Sequence, residues 1–145
     1  MIASRVVLHL AALALPVLAT VGVCLVFRMS MIDFGGAGAG AVLAAQIAAL
    51  AGWPMLVRSL ESRWLAPLGI GFLMAVITHV LFGPAFAAVA LLADNTMRMT
   101  DVFSGLISVS IYTAVFVGWV TVPLCMAVCV LVNRLRRKEL HRAAV

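Results

Sequence analysis

The sequence predicts an all-α integral membrane protein, a four-helix bundle with both chain ends on the cytoplasmic side (N-in/C-in) and kinks in its third and fourth helices. Of its 145 residues, 66% are hydrophobic and only 10% are charged, unlike the usage of a soluble domain. The apolar residues form four runs, each long enough to cross a hydrocarbon core of about 30 Å. Lys and Arg collect in the segments that this arrangement places on one side of the membrane.

The four predicted helices cover residues 6–27, 37–57, 65–93 and 102–133. A basic cytoplasmic tail follows at 134–145, so residues 1–145 form a single transmembrane domain. Cations beside a span are retained on the cytoplasmic side, and their distribution therefore predicts the orientation. The two outer cations are Arg28 and Arg98, and the inner ones are Arg5, Arg58, Arg63, Arg134, Arg136, Arg137, Lys138 and Arg142.

The first helix follows Arg5 and is interrupted only by His9, Pro16 and Thr20. A cation before a long apolar run is typical of a transmembrane helix that starts inside. A signal peptide also begins in this way, with a candidate cleavage site at 17–19. Because the apolar run continues well past that site, the run is too long for the apolar part of a signal peptide. We therefore expect a retained helix.

The second helix carries small residues at every fourth position. These residues are Gly36, Gly40, Ala44, Ala48 and Gly52. Such a face allows the backbone of another helix to approach closely, which favours packing by dispersion within a membrane. We predict that this helix is the packing centre of the bundle. We also predict that its small-residue face contacts another membrane protein or a second copy of the chain.

Prolines in the third and fourth helices predict the kinks. Proline lacks an N–H group and its ring crowds the carbonyl four residues earlier, so Pro84 and Pro123 should each bend their helix. The dipeptides at 52–53 and 118–119 are both Gly-Trp and occupy similar places in the second and fourth helices. This match leaves open a duplication of one hairpin, although a single shared dipeptide is a weak signal of a repeat.

Three polar residues lie within the second and third predicted spans, Gln46 in the second helix and Thr78 and His79 in the third. Gln46 and His79 are both near the middle of their helices, so we expect that they can meet. A histidine within the membrane is a candidate for proton or ligand chemistry. The competing interpretation, which we favour, is that these side chains form hydrogen bonds between helices. A haem bound by two histidines is not expected, because His9 lies at the membrane edge and His79 much deeper.

Sulfur-containing side chains offer one candidate metal site. Both outer connectors carry a Met-x-Met pair, with Met29 and Met31 in the first and Met97 and Met99 in the second. Thioethers bind Cu(I), which makes these pairs candidate copper ligands. Methionine also packs well at uneven apolar interfaces, which is the competing interpretation. Cys125 and Cys129 lie on one face of the fourth helix, where we expect them to pack in the core.

The basic tail is the predicted contact with anionic lipid or with a partner protein. Its cations are Arg134, Arg136, Arg137, Lys138 and Arg142. The formal net charge of +5 does not indicate nucleic-acid binding, because the cations flank apolar spans and form no soluble basic face. We expect no cofactor.

No motif in the chain identifies a family or a reaction. The composition resembles that of bacterial inner-membrane proteins, and it favours a non-enzymatic accessory or scaffold subunit of a membrane complex. The alternative is an oligomeric transport component that handles Cu(I) or another small solute through Gln46 and His79 or through the outer Met pairs. All charged residues fall outside the predicted spans, whereas proton-coupled transporters generally keep an acid within the membrane.

Overall fold

The computed structural model describes residues 2–28, 31–59, 65–93, 107–108, 110–111, 113–115 and 117–143. Across these ranges the chain is helical and contains no strand. The long helices are α1 (Ile2–Phe27), α2 (Met31–Arg58), α3 (Leu65–Ala93) and α4 (Gly118–Ala143). All four are long and apolar enough to cross a membrane, which confirms the predicted all-α fold with four candidate spans. Pro84 and Pro123 lie inside α3 and α4, and the kinks at them stay predictions, as does the orientation of the chain ends.

Several helix boundaries differ from the predicted ones. The first helix begins at Ile2 rather than at residue 6. The second begins at Met31 rather than at residue 37, so most of the predicted outer connector 28–36 is helical. The fourth continues to Ala143 instead of ending at 133, so most of the predicted tail is helical too. Backbone polar groups next to lipid must bond within the chain, which favours helix beyond the most apolar residues.

The fourth predicted helix is divided near its middle. The described residues between 107 and 115 are helical, Val117 forms a turn, and α4 starts at Gly118. The N–H of Val117 donates to the carbonyl of Thr113, and the N–H of Thr121 donates to the carbonyl of Val117, each at 3.0 Å. Hydrogen bonds with helical spacing therefore lie on both sides of the turn.

The first helix ends where the backbone of Arg28 turns into the left-handed region, with a φ of 51°. A residue in this conformation commonly terminates a helix, although glycine is more usual there because it has no Cβ. The turn allows α2 to start at Met31, close behind the end of α1 at Phe27. A tight connection of this kind makes α1 and α2 an antiparallel pair.

The four helices form a closed ring in chain order. Each helix packs against the next one, and α4 returns to pack against α1. The contact between α2 and α3 is the most extensive, and the contact between α1 and α4 is the least. This arrangement places the starts of α1 and α3 beside the ends of α2 and α4. We call this end of the bundle the arginine end, after Arg5, Arg58, Arg134, Arg136, Arg137 and Arg142.

The small-residue face of α2 packs against α3. A Cβ added to Gly40 would lie 2.8 Å from the Cα of Phe86, and one added to Gly52 would overlap the side chain of Met74. Ala44 and Ala48 on the same face are fully buried. The face of α2 thus belongs to the most extensive contact of the bundle, in which α3 takes part equally. The face is covered by α3, so the prediction that it contacts a partner or a second copy is wrong for this fold.

The most tightly packed core lies toward the arginine end. It combines residues from all four helices, namely Leu8, Ala48, Ala49, Leu56, Ile70, Met74, Cys129 and Val132. Many large apolar side chains elsewhere point outward, such as Leu18, which is 65% exposed, and Leu25, which is 75% exposed. An exposed apolar surface of this extent is suited to lipid rather than to water.

Candidate functional site

Gln46 forms two hydrogen bonds with His9, which join α2 to α1. The Nε2 group of Gln46 donates to the carbonyl oxygen of His9 at 3.0 Å. The Oε1 atom of Gln46 lies 2.9 Å from Nδ1 of the same histidine. The backbone carbonyl of His9 can only accept, so the amide orientation of Gln46 is fixed, and its Oε1 accepts a hydrogen bond from the Nδ1–H group of His9.

The bond to Gln46 also determines the tautomer of His9. With the proton on Nδ1, the neutral ring has a lone pair on Nε2. This Nε2 atom is buried, and it has no hydrogen-bond partner among the residues that the structure describes. A buried nitrogen without a partner is uncommon in proteins and has an energetic cost.

His79 pairs with Thr121 and joins α3 to α4. Its Nε2 atom lies 2.8 Å from the hydroxyl oxygen of Thr121. The same hydroxyl lies 3.2 Å from the carbonyl of Val117, to which it can donate. When it does so, its oxygen accepts a hydrogen bond from the Nε2–H group of His79. The pair lies beside the turn at Val117, and Gly118 is close to the ring, since a Cβ added there would lie 3.7 Å from Nε2, an ordinary van der Waals distance.

The structure does not bring Gln46 and His79 together. Each has a different partner on a different neighbouring helix. Thr78 bonds within its own helix and donates to the carbonyl of Met74 at 2.8 Å. Gln46 and His79 therefore do not meet, although each forms a hydrogen bond to another helix as the favoured interpretation expects. Thr78 differs from that interpretation, because its bond lies within α3.

Two grooves lie on the outside of the bundle beside these pairs. The first, which we call the α1–α2 groove, has a volume of about 660 Å³ and is lined by Arg5, Val6, His9, Leu10, Leu13, Gln46 and Trp53. The second, which we call the α3–α4 groove, has a volume of about 550 Å³ and is lined by Val76, His79, Val80, Ala114, Gly118, Trp119, Val122 and Pro123. The two grooves differ in charge, since only the first has a cation in its lining.

Arg136 is a buried cation at the arginine end, where it contacts the last turn of α2. It is only 3% exposed, and its Nη1 group donates to the carbonyl of Leu56 at 2.7 Å. This carbonyl belongs to the last turn of α2, whose oxygens have no partner within the helix and favour a nearby cation. The prediction that Arg136 contacts lipid or a partner is wrong, because its guanidinium is buried against α2.

Glu139 makes a second connection at this end. Its two carboxylate oxygens accept hydrogen bonds from the backbone N–H of Ser4 at 3.1 Å and from the hydroxyl of Ser4 at 3.0 Å. An acceptor at the first turn of α1 is favourable, because the N–H groups there lack helical partners. Arg134, Lys138 and Arg142 are exposed, whereas Arg137 is half-buried.

The candidate copper site lies mostly outside the described residues. Met29, Met97 and Met99 are not among them, and for Met31 the structure describes the backbone at the start of α2 only. No group of three or more His, Cys, Asp or Glu side chains occurs within the described part of the chain. The copper hypothesis thus stays a prediction. Cys129 is buried in the core with its Sγ 3.6 Å from Sδ of Met74, which fits the expected packing role.

Sequence reasoning missed His9, Thr121, Ser4 and Glu139 as bonding partners. His9 was assigned to the membrane edge, and no pattern in the sequence linked Ser4 to a residue 135 positions away. The position of Gln46 on its helix could have indicated His9, because Gln46 lies on the face opposite to the small-residue face.

Comparisons of the chain with family models, with curated proteins and with solved structures give no match.

Proposed function

We propose that this chain is a non-enzymatic accessory or scaffold subunit of a membrane complex, located in a bacterial inner membrane with the arginine end in the cytoplasm. The observation that carries the proposal is the pairing of the intramembrane polar groups. Gln46 is bonded to His9 and His79 to Thr121, so each pair joins two helices of the same chain. Such bonds stabilise a bundle and leave a mainly apolar surface to its surroundings.

The outward surfaces of α1 and α4 are where a partner helix would pack. Leu18 on α1 and Trp119 on α4 are 65% and 75% exposed. The contact between α1 and α4 is also the smallest of the ring. Because α1 and α4 bury little surface against each other, their outward faces remain accessible to a helix of another protein. Close packing between the helices would then stabilise the complex.

The test is site-specific crosslinking in the native membrane. A photoreactive amino acid is placed at Leu18 or at Trp119, with the buried positions Ala44 and Leu56 as matched controls. We expect crosslinks to one defined protein from the exposed positions, and we expect that protein to co-purify in a mild non-denaturing detergent. Crosslinks to lipid alone, together with purification as an isolated chain, would contradict the proposal.

A further inference from the structure

We propose that the α1–α2 groove binds a single anionic phospholipid, with the phosphate at Arg5 and an acyl chain along Val6, Leu10 and Leu13. The headgroup position at Arg5 is 13 residues of α1, or about 20 Å, from Leu18, where partner contact is tested. It is also separate from the basic end of α4, because the groove is formed by α1 and α2 alone.

Arg5 provides the headgroup contact. Its guanidinium carbon lies 5.9 Å from the centre of the Trp53 ring, so a cation–π contact holds the side chain at the mouth of the groove. No hydrogen bond or ion pair joins this exposed guanidinium to another residue in the described part of the chain. Its N–H groups are therefore not taken up by any described residue, and their planar arrangement suits two oxygens of a phosphate.

The charge around the groove favours an anionic lipid over a zwitterionic one. Arg58 lies at the end of α2, and the basic end of α4 is close by. Glu139 is the only acidic side chain that the structure describes, and its carboxylate is bonded to Ser4. A choline group would meet this positive field unfavourably, whereas a lipid with net negative charge gains from it.

The walls of the groove suit an acyl chain. Val6, Leu10 and Leu13 follow one stripe of α1 and are 47%, 57% and 45% exposed. His9 and Gln46 lie beside this stripe, and both polar ends of the Gln46 amide are bonded to His9. Nε2 of His9 is buried, so it presents no exposed polar atom to the apolar part of the groove. A cation with an interfacial tryptophan at one end and an apolar stripe leading away from it matches the order of headgroup and chain in a phospholipid.

The α3–α4 groove provides an internal comparison. It is similar in size and also contains a histidine and a tryptophan, but its lining has no cation. Without a cation in its lining, this groove should not distinguish between lipids with different headgroups. The proposal therefore predicts a headgroup preference at Trp53 and none at Trp119.

The experiment measures tryptophan fluorescence quenching by lipids with brominated acyl chains. Two proteins with one tryptophan each are reconstituted in phosphatidylcholine nanodiscs, one keeping Trp53 (W64F, W119F) and one keeping Trp119 (W53F, W64F). Brominated phosphatidylglycerol or brominated phosphatidylcholine then replaces part of the lipid. We expect half-maximal quenching of Trp53 at an about five-fold lower fraction of the anionic lipid, the ratio that about 1 kcal/mol per cation provides. Trp119 should respond equally to both lipids.

Variants of the Trp53 protein test the residues of the site. Arg5→Gln should abolish the preference, whereas Arg142→Gln, which removes the same charge from an exposed position outside the groove, should keep it. Leu10→Phe should weaken quenching by the anionic lipid by obstructing the groove, and Leu18→Phe should not. Circular dichroism verifies that each variant retains its helix content.

Three results would overturn the proposal. The first is equal quenching of Trp53 by the two lipids. The second is a preference that survives Arg5→Gln. The third is protection of Trp53 from both lipids in a dimeric protein, which would assign the groove to a second copy of the chain.

Discussion

Gln46 and His79 lie at a similar height in the bundle but on faces that point to different helices. The contacts of Gly40 with Phe86 and of Gly52 with Met74 align α2 and α3, and in this register Gln46 is level with residue 80. Gln46 is two positions from both Ala44 and Ala48, which turns it about 200° away from the face that meets α3. The similar depth of Gln46 and His79 suggested that they could meet. The direction in which Gln46 projects from α2 excludes this contact.

A double-mutant cycle tests the observed pair. His9→Leu and Gln46→Leu should each destabilise the bundle, and their effects on the free energy of unfolding should be coupled by about 0.6 kcal/mol and at most about 2 kcal/mol. Unfolding is followed by circular dichroism in mixed micelles as the fraction of denaturing detergent rises. The matched cycle of Gln46→Leu with His79→Leu should be additive, and coupling in that cycle instead would show that the pairs are wrongly assigned.

Arg136 provides a second test at the scale of single residues. Truncation by Arg136→Ala removes its bond to the Leu56 carbonyl and leaves a gap beneath the end of α2. We expect a loss of about 1.5–3 kcal/mol, the range for hydrogen bonds to charged groups. Lys138→Ala, at an exposed position two residues later, should change the free energy of unfolding by less than about 0.5 kcal/mol. Equal effects of the two substitutions would argue against a structural role for Arg136.

The helices themselves were predictable because each apolar run is long, and α3 has the bounds that its run predicts. The ends of α2 and α4 were not, since hydropathy does not distinguish a polar helical turn from a connector. Starting α2 at 37 instead of Met31 shifts its register against α1 by six residues, or about 9 Å. With the incorrect register, the sequence did not place His9 and Gln46 at the same level, and their contact was not predicted. The residues at 134–142 were interpreted as a tail by their charge, although Arg, Leu, Lys and Glu are good helix formers.

Close contact between α3 and α4 depends on Gly71. A Cβ there would lie 2.5 Å from the Cα of Met126, so Gly71→Ala should force the two backbones apart and destabilise the bundle by about 1–3 kcal/mol, as overpacking usually does. Gly69→Ala is the matched control, because a Cβ at Gly69 has open space around it. Detergent-induced unfolding of both variants tests the helix pair, and a stable Gly71→Ala protein would contradict this packing.

At the scale of the whole molecule, the two ends of the bundle differ. The arginine end contains the main core and the two polar connections made by Arg136 and Glu139. Large apolar side chains such as Leu25 on α1 and Leu92 on α3 are exposed at the other end. Positive charge gathers at the packed end, which is the end that the positive-inside rule assigns to the cytoplasm.

Reporter fusions test this orientation. A phosphatase that is active only outside the cytoplasm should be inactive when it is fused after Val145. The same reporter fused after Arg28 should be active, because one helix would carry it across the membrane. A fluorescent protein that folds only in the cytoplasm should give the opposite pattern at the two positions. An active phosphatase after Val145 would contradict the proposed cytoplasmic position of the C-terminal end.

The bond between Ser4 and Glu139 joins residues that are 135 positions apart. During synthesis, this bond cannot form until Glu139 has left the ribosome, 135 residues after Ser4. Before that point, the contact with α2 is the more extensive of the two that hold α1 in the ring. Completion of the contact between α1 and α4 therefore has to wait for translation of the helical turn that contains Glu139.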